Sequence, residues 1–164
     1  MKIGPMILSF IGRAVRASDP AEGQRLLIDT VRSGAALYHF DFVELNDDCR
    51  WLYPRVFNAD LYGQLREVGD ELGLQWTVHL PIIGVDPCAP NEIIRRASVD
   101  AILDSIETTR VFEPQQYVLH ALSDQAGRNE RSSDPVVQQM WPLQREQAAR
   151  SVETILREID TKAT

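Results

Sequence analysis

The sequence predicts an α/β fold built from four βα units of a parallel sheet, half of an eight-stranded (β/α)8 barrel. Three observations carry this expectation. Short apolar runs alternate with stretches of helical period along the 164 residues, and helices set between short apolar strands favour parallel pairing through right-handed crossovers. Three of the runs end on chemistry-bearing residues: Phe40-Asp41-Phe42-Val43-Glu44, Trp76-Thr77-Val78-His79 and Tyr117-Val118-Leu119-His120. In parallel barrels the carboxyl ends of the strands share one rim, and that rim carries the active site. Four units do not close an eight-stranded ring. The expected form is therefore a half-barrel or truncated barrel, with residues 1–164 as one N-terminal-half domain.

The first unit opens with a strand around Ile3 to Ile11. Asp19-Pro20-Ala21-Glu22 then starts a helix: Asp19 caps free N–H groups, Pro20 suits the first turn and Glu22 can close a capping box. Leu26, Leu27, Thr30 and Val31 form its apolar side, and Gly34 is the expected stop. Phe40 to Leu45 is the second strand, followed by the polar loop Asn46-Asp47-Asp48-Cys49-Arg50. Leu61, Leu65, Val68 and Leu72 fall on one helical stripe, with Asn58 as cap and Gly73 as left-handed terminator. Leu74 to Leu80 is the third strand, and a loop rich in Pro and Gly runs from Pro81 to Pro90. In the next helix Ile94, Ala97, Ile102 and Ile106 should face inward, and Arg95, Arg96, Asp100, Asp104 and Glu107 outward. Gln116 to His120 is the fourth strand. Ser123 to Pro135 reads as a polar lid or surface loop. Val136 opens a last helical region that Pro142 should break or restart, and Ala148, Val152, Ile155 and Ile159 form its stripe.

Composition narrows the function. The net charge is −7 and no basic tract occurs, so a nucleic-acid partner is not expected. A phosphate-bearing substrate would need a local arginine cluster or a cation. Cys49 and Cys88 are the only cysteines and have no metal-motif spacing, so reduced thiols in a cytoplasmic protein are expected. Gly4, Pro5 and Gly12 interrupt the apolar start, which reads as a strand rather than a signal peptide. No run approaches a membrane span. No Gly-rich fingerprint follows a strand, so no nucleotide cofactor is expected.

The rim residues are the candidate site. His79 shares a strand face with Thr77 and stands before Pro81; a neutral imidazole there could bind Zn²⁺, Mn²⁺ or Co²⁺ or exchange a proton. His120 occupies the matching place one unit later, one strand spacing away, while a dull alternative for both is a bond to a loop carbonyl. His39 precedes its strand and reads as surface. Glu44 is a ligand, a base, an acceptor that orients a histidine, or a solvated rim carboxylate. Asp47, Asp48 and Asp86 lie on loops that could fold over the rim. Arg95 and Arg96 could grip a phosphate or be exposed helix charges. Trp51, Tyr53 and Trp141 could stack on a planar ring or sugar, or simply pack loops against the sheet.

The segments Phe42-Val43-Glu44-Leu45, Thr77-Val78-His79-Leu80-Pro81 and Tyr117-Val118-Leu119-His120 resemble the xylose-isomerase-like TIM-barrel superfamily. That group includes sugar-phosphate isomerases and epimerases and endonuclease IV-like proteins. The stretch Arg95-Arg96-Ala97-Ser98-Val99 is similar to the cobamide-remodelling phosphodiesterase branch. The resemblance implies His79 and His120 as metal ligands and Glu44 as the acidic residue at the second strand end. It implies a divalent metal (Zn, Mn or Co), and a phosphorylated sugar or a cobamide-like molecule as substrate. The family's further ligands, from the fifth strand onward, have no counterpart here. Ile82-Ile83 is also more apolar than the phosphodiesterase branch implies.

Three readings follow. The first is a metal-dependent isomerase, epimerase or phosphodiesterase represented by its N-terminal half. The second is a non-catalytic remnant or assembly domain. The third is a compact four-unit domain with an open sheet. Open edges at the first and fourth strands predict a homodimer of two half-barrels, or aggregation.

Overall fold

The computed structural model describes residues 4–7 and 11–162. Twelve segments follow in order: α1 (Ile11–Ala14), α2 (Pro20–Tyr38), β1 (Phe42–Asn46), α3 (Asp48–Leu52), α4 (Ala59–Leu72), β2 (Gln75–His79), α5 (Glu92–Thr109), a 3-10 turn (Arg110–Phe112), β3 (Gln116–Val118), α6 (Asp124–Glu130), α7 (Pro135–Gln138) and α8 (Met140–Lys162). Two compact units emerge. The first comprises Met1–Leu80 and Glu107–Val118, and the second Pro81–Ile106 and Leu119–Thr164.

The first unit holds the sheet, and the sheet overturns the expected half-barrel. Among the described residues it has three parallel strands, ordered β1-β2-β3, rather than the strands of four βα units. The expected first strand is reduced to one parallel bridge, Met6 to Glu44; Ile3 and residues 8–10 lie outside the described residues. The local reason is chemical. Pro5 has no N–H for a ladder and contributes only its carbonyl, which accepts from Glu44 N at 3.0 Å. Ile11 is already helical. At the other edge β3 is three residues long, and Val118 stands opposite His79. Leu80 N closes the ladder on Val118 O at 2.9 Å.

Local chemistry explains most of the remaining elements. Asp19 Oδ1 accepts from Ala21 N at 3.1 Å, so α2 starts where its cap predicts. It does not stop at Gly34. The helix runs to Tyr38, and His39 ends it in the left-handed conformation at φ 49°. A β-carbon on Gly34 would meet the Phe40 ring at 3.0 Å, so this glycine serves close packing rather than termination. In α4, Asn58 Oδ1 accepts from Leu61 N at 3.1 Å and Gly73 closes the helix at φ 65°. Leu61, Leu65 and Val68 are buried from that helix, and Val43, Leu45 and Val78 from the sheet. Phe112 tilts against Tyr62 at 5.2 Å and Trp76 at 4.7 Å, fixing the returning chain to this core.

The second unit is helical, and its packing departs from simple apolar patterning. On α5 the buried positions include Arg95, Ser98, Val99, Ile102, Ser105 and Ile106, whereas Ile94 is exposed. Ile102 and Ile106 face inward as the spacing predicts, and the departure is at the start of the helix, where Arg95 and Ser98 are buried and Ile94 and Ala97 are exposed. Ser98 is satisfied within the unit: its Oγ donates to Ile94 O at 2.8 Å and accepts from Asp86 N at 2.8 Å. The expected loop at Ser123–Pro135 contains α6, started by Ser123, whose Oγ accepts from Ala126 N at 3.3 Å. Asn129 Nδ2 donates to Gln144 Oε1 at 3.1 Å within the unit. Pro142 restarts helix rather than ending it, because it lies in the first turn of α8, where its missing N–H has no helical partner to lose.

Candidate functional site

In the first unit, the carboxyl ends of β1 and β2 meet at Asn46 and His79, which stand opposite each other in the ladder. The stretch expected as a solvated polar loop is buried instead. Asp47 and Asp48 are 0% and 2% exposed. Asn46 Oδ1 accepts from Asp48 N at 3.0 Å and starts α3. Asp47 N donates to His79 O at 3.0 Å. The Asp47 carboxylate accepts from the Tyr62 hydroxyl at 2.6 Å and from Arg50 Nε at 3.4 Å. Burial, then the Asp47 charge, push the Tyr62 hydroxyl above its ordinary range. Burial, then the charges of Asp48 and Asp47, push the Cys49 thiol up to about 12. Cys49 is therefore a protonated core thiol. His79 Nδ1 lies 3.0 Å from the Leu80 carbonyl, which can only accept, so Nδ1 is the donor.

The second unit has a cleft of about 280 Å³, near the lower size of ligand pockets. Ile82, Val85, Pro87 and Leu122 give it an apolar lining, and His120, Ser123, Asp124 and Gln125 a polar one. Local bonds hold two of the polar groups. Ser123 caps α6, while Gln125 Nε2 donates to Asn129 Oδ1 at 2.8 Å and its Oε1 accepts from Arg128 Nη2 at 3.0 Å. Beneath Ser123, the Cys88 thiol donates to Asp86 Oδ1 at 3.0 Å and accepts from Ser123 N at 3.4 Å. Burial and the bond to Asp86 push this thiol up as well, so it acts as a structural group rather than a nucleophile.

The residues singled out from sequence fall in both units. Glu44 is in the middle of β1, opposite Thr77, because the strand runs on to Asn46. His79 is buried at the end of β2. His120 is beyond β3, belongs to the second unit and lines its cleft; the ladder partner of His79 is Val118, not His120. Arg95 is 5% exposed. It holds Glu92 through two bonds of 2.8 Å and Ser151 Oγ through one of 2.9 Å, and Ser151 Oγ donates to Pro87 O at 2.7 Å. Arg96 Nε reaches the same Glu92 at 2.7 Å. These bonds to Arg95 and Arg96 lower the Glu92 carboxyl to about 2. Both arginines thus already have an internal carboxylate. Trp51 is on α3 at the surface, with the Arg50 guanidinium 5.6 Å from its ring centre. His39 is exposed.

Sequence reasoning passed over Tyr62, Ser123, Asp124 and Gln125. The Ser123-Asp124 pair before a helix was the available signal for the last three. Tyr62 had none, since its Asp47 partner is distant in sequence.

Among the described residues, no three His, Cys, Asp or Glu side chains are grouped where they could hold a metal ion. A protein metal site ordinarily takes three or more such ligands. Among the described residues no helix is long and apolar enough to cross a membrane. No family model matches the chain, and no curated protein matches it.

Proposed function

We propose that the second unit binds a small, neutral, hydroxyl-rich molecule of sugar-like size in the His120 cleft and exchanges a proton with it through His120. The observation that carries this reading is the cleft's lining: an imidazole and the Asp124 carboxylate together with four apolar side chains. Among the described residues Asp124 makes no side-chain hydrogen bond or ion pair. A carboxylate accepts hydrogen bonds only, so it selects hydroxyl donors, and the apolar lining suits the C–H surface of a polyol. No arginine or lysine lines the cleft, and the charge of Asp124 opposes a phosphate. This reading therefore keeps a sugar-like substrate class and drops the phosphate. An imidazole supplies an acid–base group for moving a proton to or from such a ligand.

The test is an NMR titration of the ¹⁵N-labelled chain with neutral monosaccharides, their phosphates, and Mn²⁺, Co²⁺ or Zn²⁺. Each sugar is also followed for exchange of its C–H protons with D₂O. Saturable shifts of His120 and Asp124 by neutral sugars, lost in Asp124→Asn, are expected. Loss of sugar C–H exchange in His120→Gln is the expected sign of chemistry. Saturation by the metals alone would revive the metal-dependent reading. A second reading, a domain without chemistry, is favoured by the commitment of Ser123 and Gln125 to bonds within the unit. It predicts no saturable shift by any of these compounds.

A further inference from the structure

The second unit also has a larger, shallower groove of about 530 Å³ on the exposed side of α8. Ala121, Leu122, Ala148, Ala149, Val152 and Leu156 line it, and Leu122 and Leu156 are 40% and 56% exposed. Arg145 and Glu153 complete the lining. Both are exposed, and among the described residues neither makes an ion pair. Arg145 lies over the Trp141 ring, 6.0 Å from its centre. Such stacking orders a guanidinium and leaves its edge able to meet a carboxylate.

Arg145, Ala149 and Glu153 follow one another at four-residue steps, so they form a single ridge of the helix. Opposite charges flank a small residue symmetrically. We infer that this face pairs with a second copy of the chain, α8 crossing α8 on a two-fold axis at Ala149. A two-fold contact is self-complementary. With the helices antiparallel about Ala149, each Arg145 meets the partner's Glu153, and both charges are matched at once. A parallel arrangement would instead set like charges opposite each other. Ala149 has no bulk to keep the ridges apart, as crossings that interlock four-residue ridges require. Val152, Leu156 and Leu122 supply the apolar surface that such a crossing removes from water. This pairing involves no sheet edge, so it differs from assembly by joining half-barrels.

A charge swap tests it. Sedimentation equilibrium of the full chain, from low to high micromolar, should show a monomer–dimer equilibrium weakened by salt. Arg145→Glu and Glu153→Arg should each weaken association by about tenfold, because each turns two attractions into repulsions. The double variant should recover most of the loss, since the pairs re-form with reversed sign. Circular dichroism on each variant checks that α8 stays folded, which surface substitutions permit. A wild-type chain that stays monomeric overturns the proposal. So does a dimer indifferent to both single changes, or a double variant no better than the worse single one.

Discussion

Replacing Tyr62 by Phe isolates the buried bond at the carboxyl end of β1. The change removes only the hydroxyl that donates to Asp47 at 2.6 Å. The ring stays, and with it the 5.2 Å contact to Phe112. Tyr62 and Asp47 are 1% and 0% exposed, so water does not easily replace the lost donor. Arg50 still reaches the carboxylate, at 3.4 Å with its own side chain 21% exposed, and limits the damage. A hydrogen bond to a charged group contributes about 1.5–3 kcal/mol. The expected loss is therefore about 2 kcal/mol, which lowers the urea midpoint by roughly 1 M for a chain with m near 2 kcal/mol/M. The change should act on the first unit. Amide exchange of Leu45 and Val78 should accelerate, while that of α8 amides should not. Pairing the change with Asp47→Asn closes a double-mutant cycle in which the two losses are strongly non-additive. A stability loss below about 0.5 kcal/mol, or additive losses, would show that the bond is not holding this end of the sheet.

The Cys49 thiol predicts alkaline weakening. Its folded value is raised from 9.0 to about 12, so between those values the folded chain keeps a proton that the unfolded chain has released. Its contribution is complete below pH 9 and lost as pH rises through about 12, at up to about 1.4 kcal/mol per pH unit. Cys49→Ala should flatten chemical-denaturation midpoints measured across that window, and the raised Tyr62 hydroxyl adds a loss of the same sign. Two glycines of α4 predict opposite outcomes for one substitution. A β-carbon on Gly63 meets nothing, so Gly63→Ala should stabilise by about 0.5–1 kcal/mol through helix propensity and a less free unfolded chain. On Gly69 it runs into the buried Trp76 indole nitrogen, so Gly69→Ala should destabilise by about 1–2 kcal/mol, overpacking exceeding propensity. Thermal unfolding that ranks the two variants the other way would refute this assignment.

What could be read from sequence was what local chemistry decides. Asp19, Asn58 and Gly73 capped helices where their side chains or backbone freedom dictate. The apolar runs ending at Leu45 and His79 became neighbouring parallel strands, each within two residues of its expected bounds. What could not be read was how far each run pairs. Glu44 looked like a strand end because a polar run begins two residues on, yet Asn46, Asp47 and Asp48 are buried, with bonds to backbone and to Tyr62, a partner from another helix. Arg95 looked outward because it is charged. Glu92 and Ser151 satisfy it inside, so the first turns of α5 bury Arg95 where Ile94 was expected. The end of the last strand was misread for a similar reason. His120 follows an apolar run like the one before His79, but β3 stops at Val118.

The chain enters the first unit, leaves it after Leu80, returns for Glu107–Val118 and leaves again. This interleaving sets a timetable. On a ribosome the first eighty residues emerge with β1, β2 and α4 but without Phe112, against which Tyr62 and Trp76 later rest. Their exposed aromatic surface must wait until all of the second unit's first segment has also emerged. The second unit waits longer still, for Ser151 to reach Arg95 and Pro87. Neither half can finish as an early, separate event. A chain cut after Leu80 would therefore be an unfinished intermediate with an open aromatic face, prone to capture by chaperones, rather than a smaller working domain.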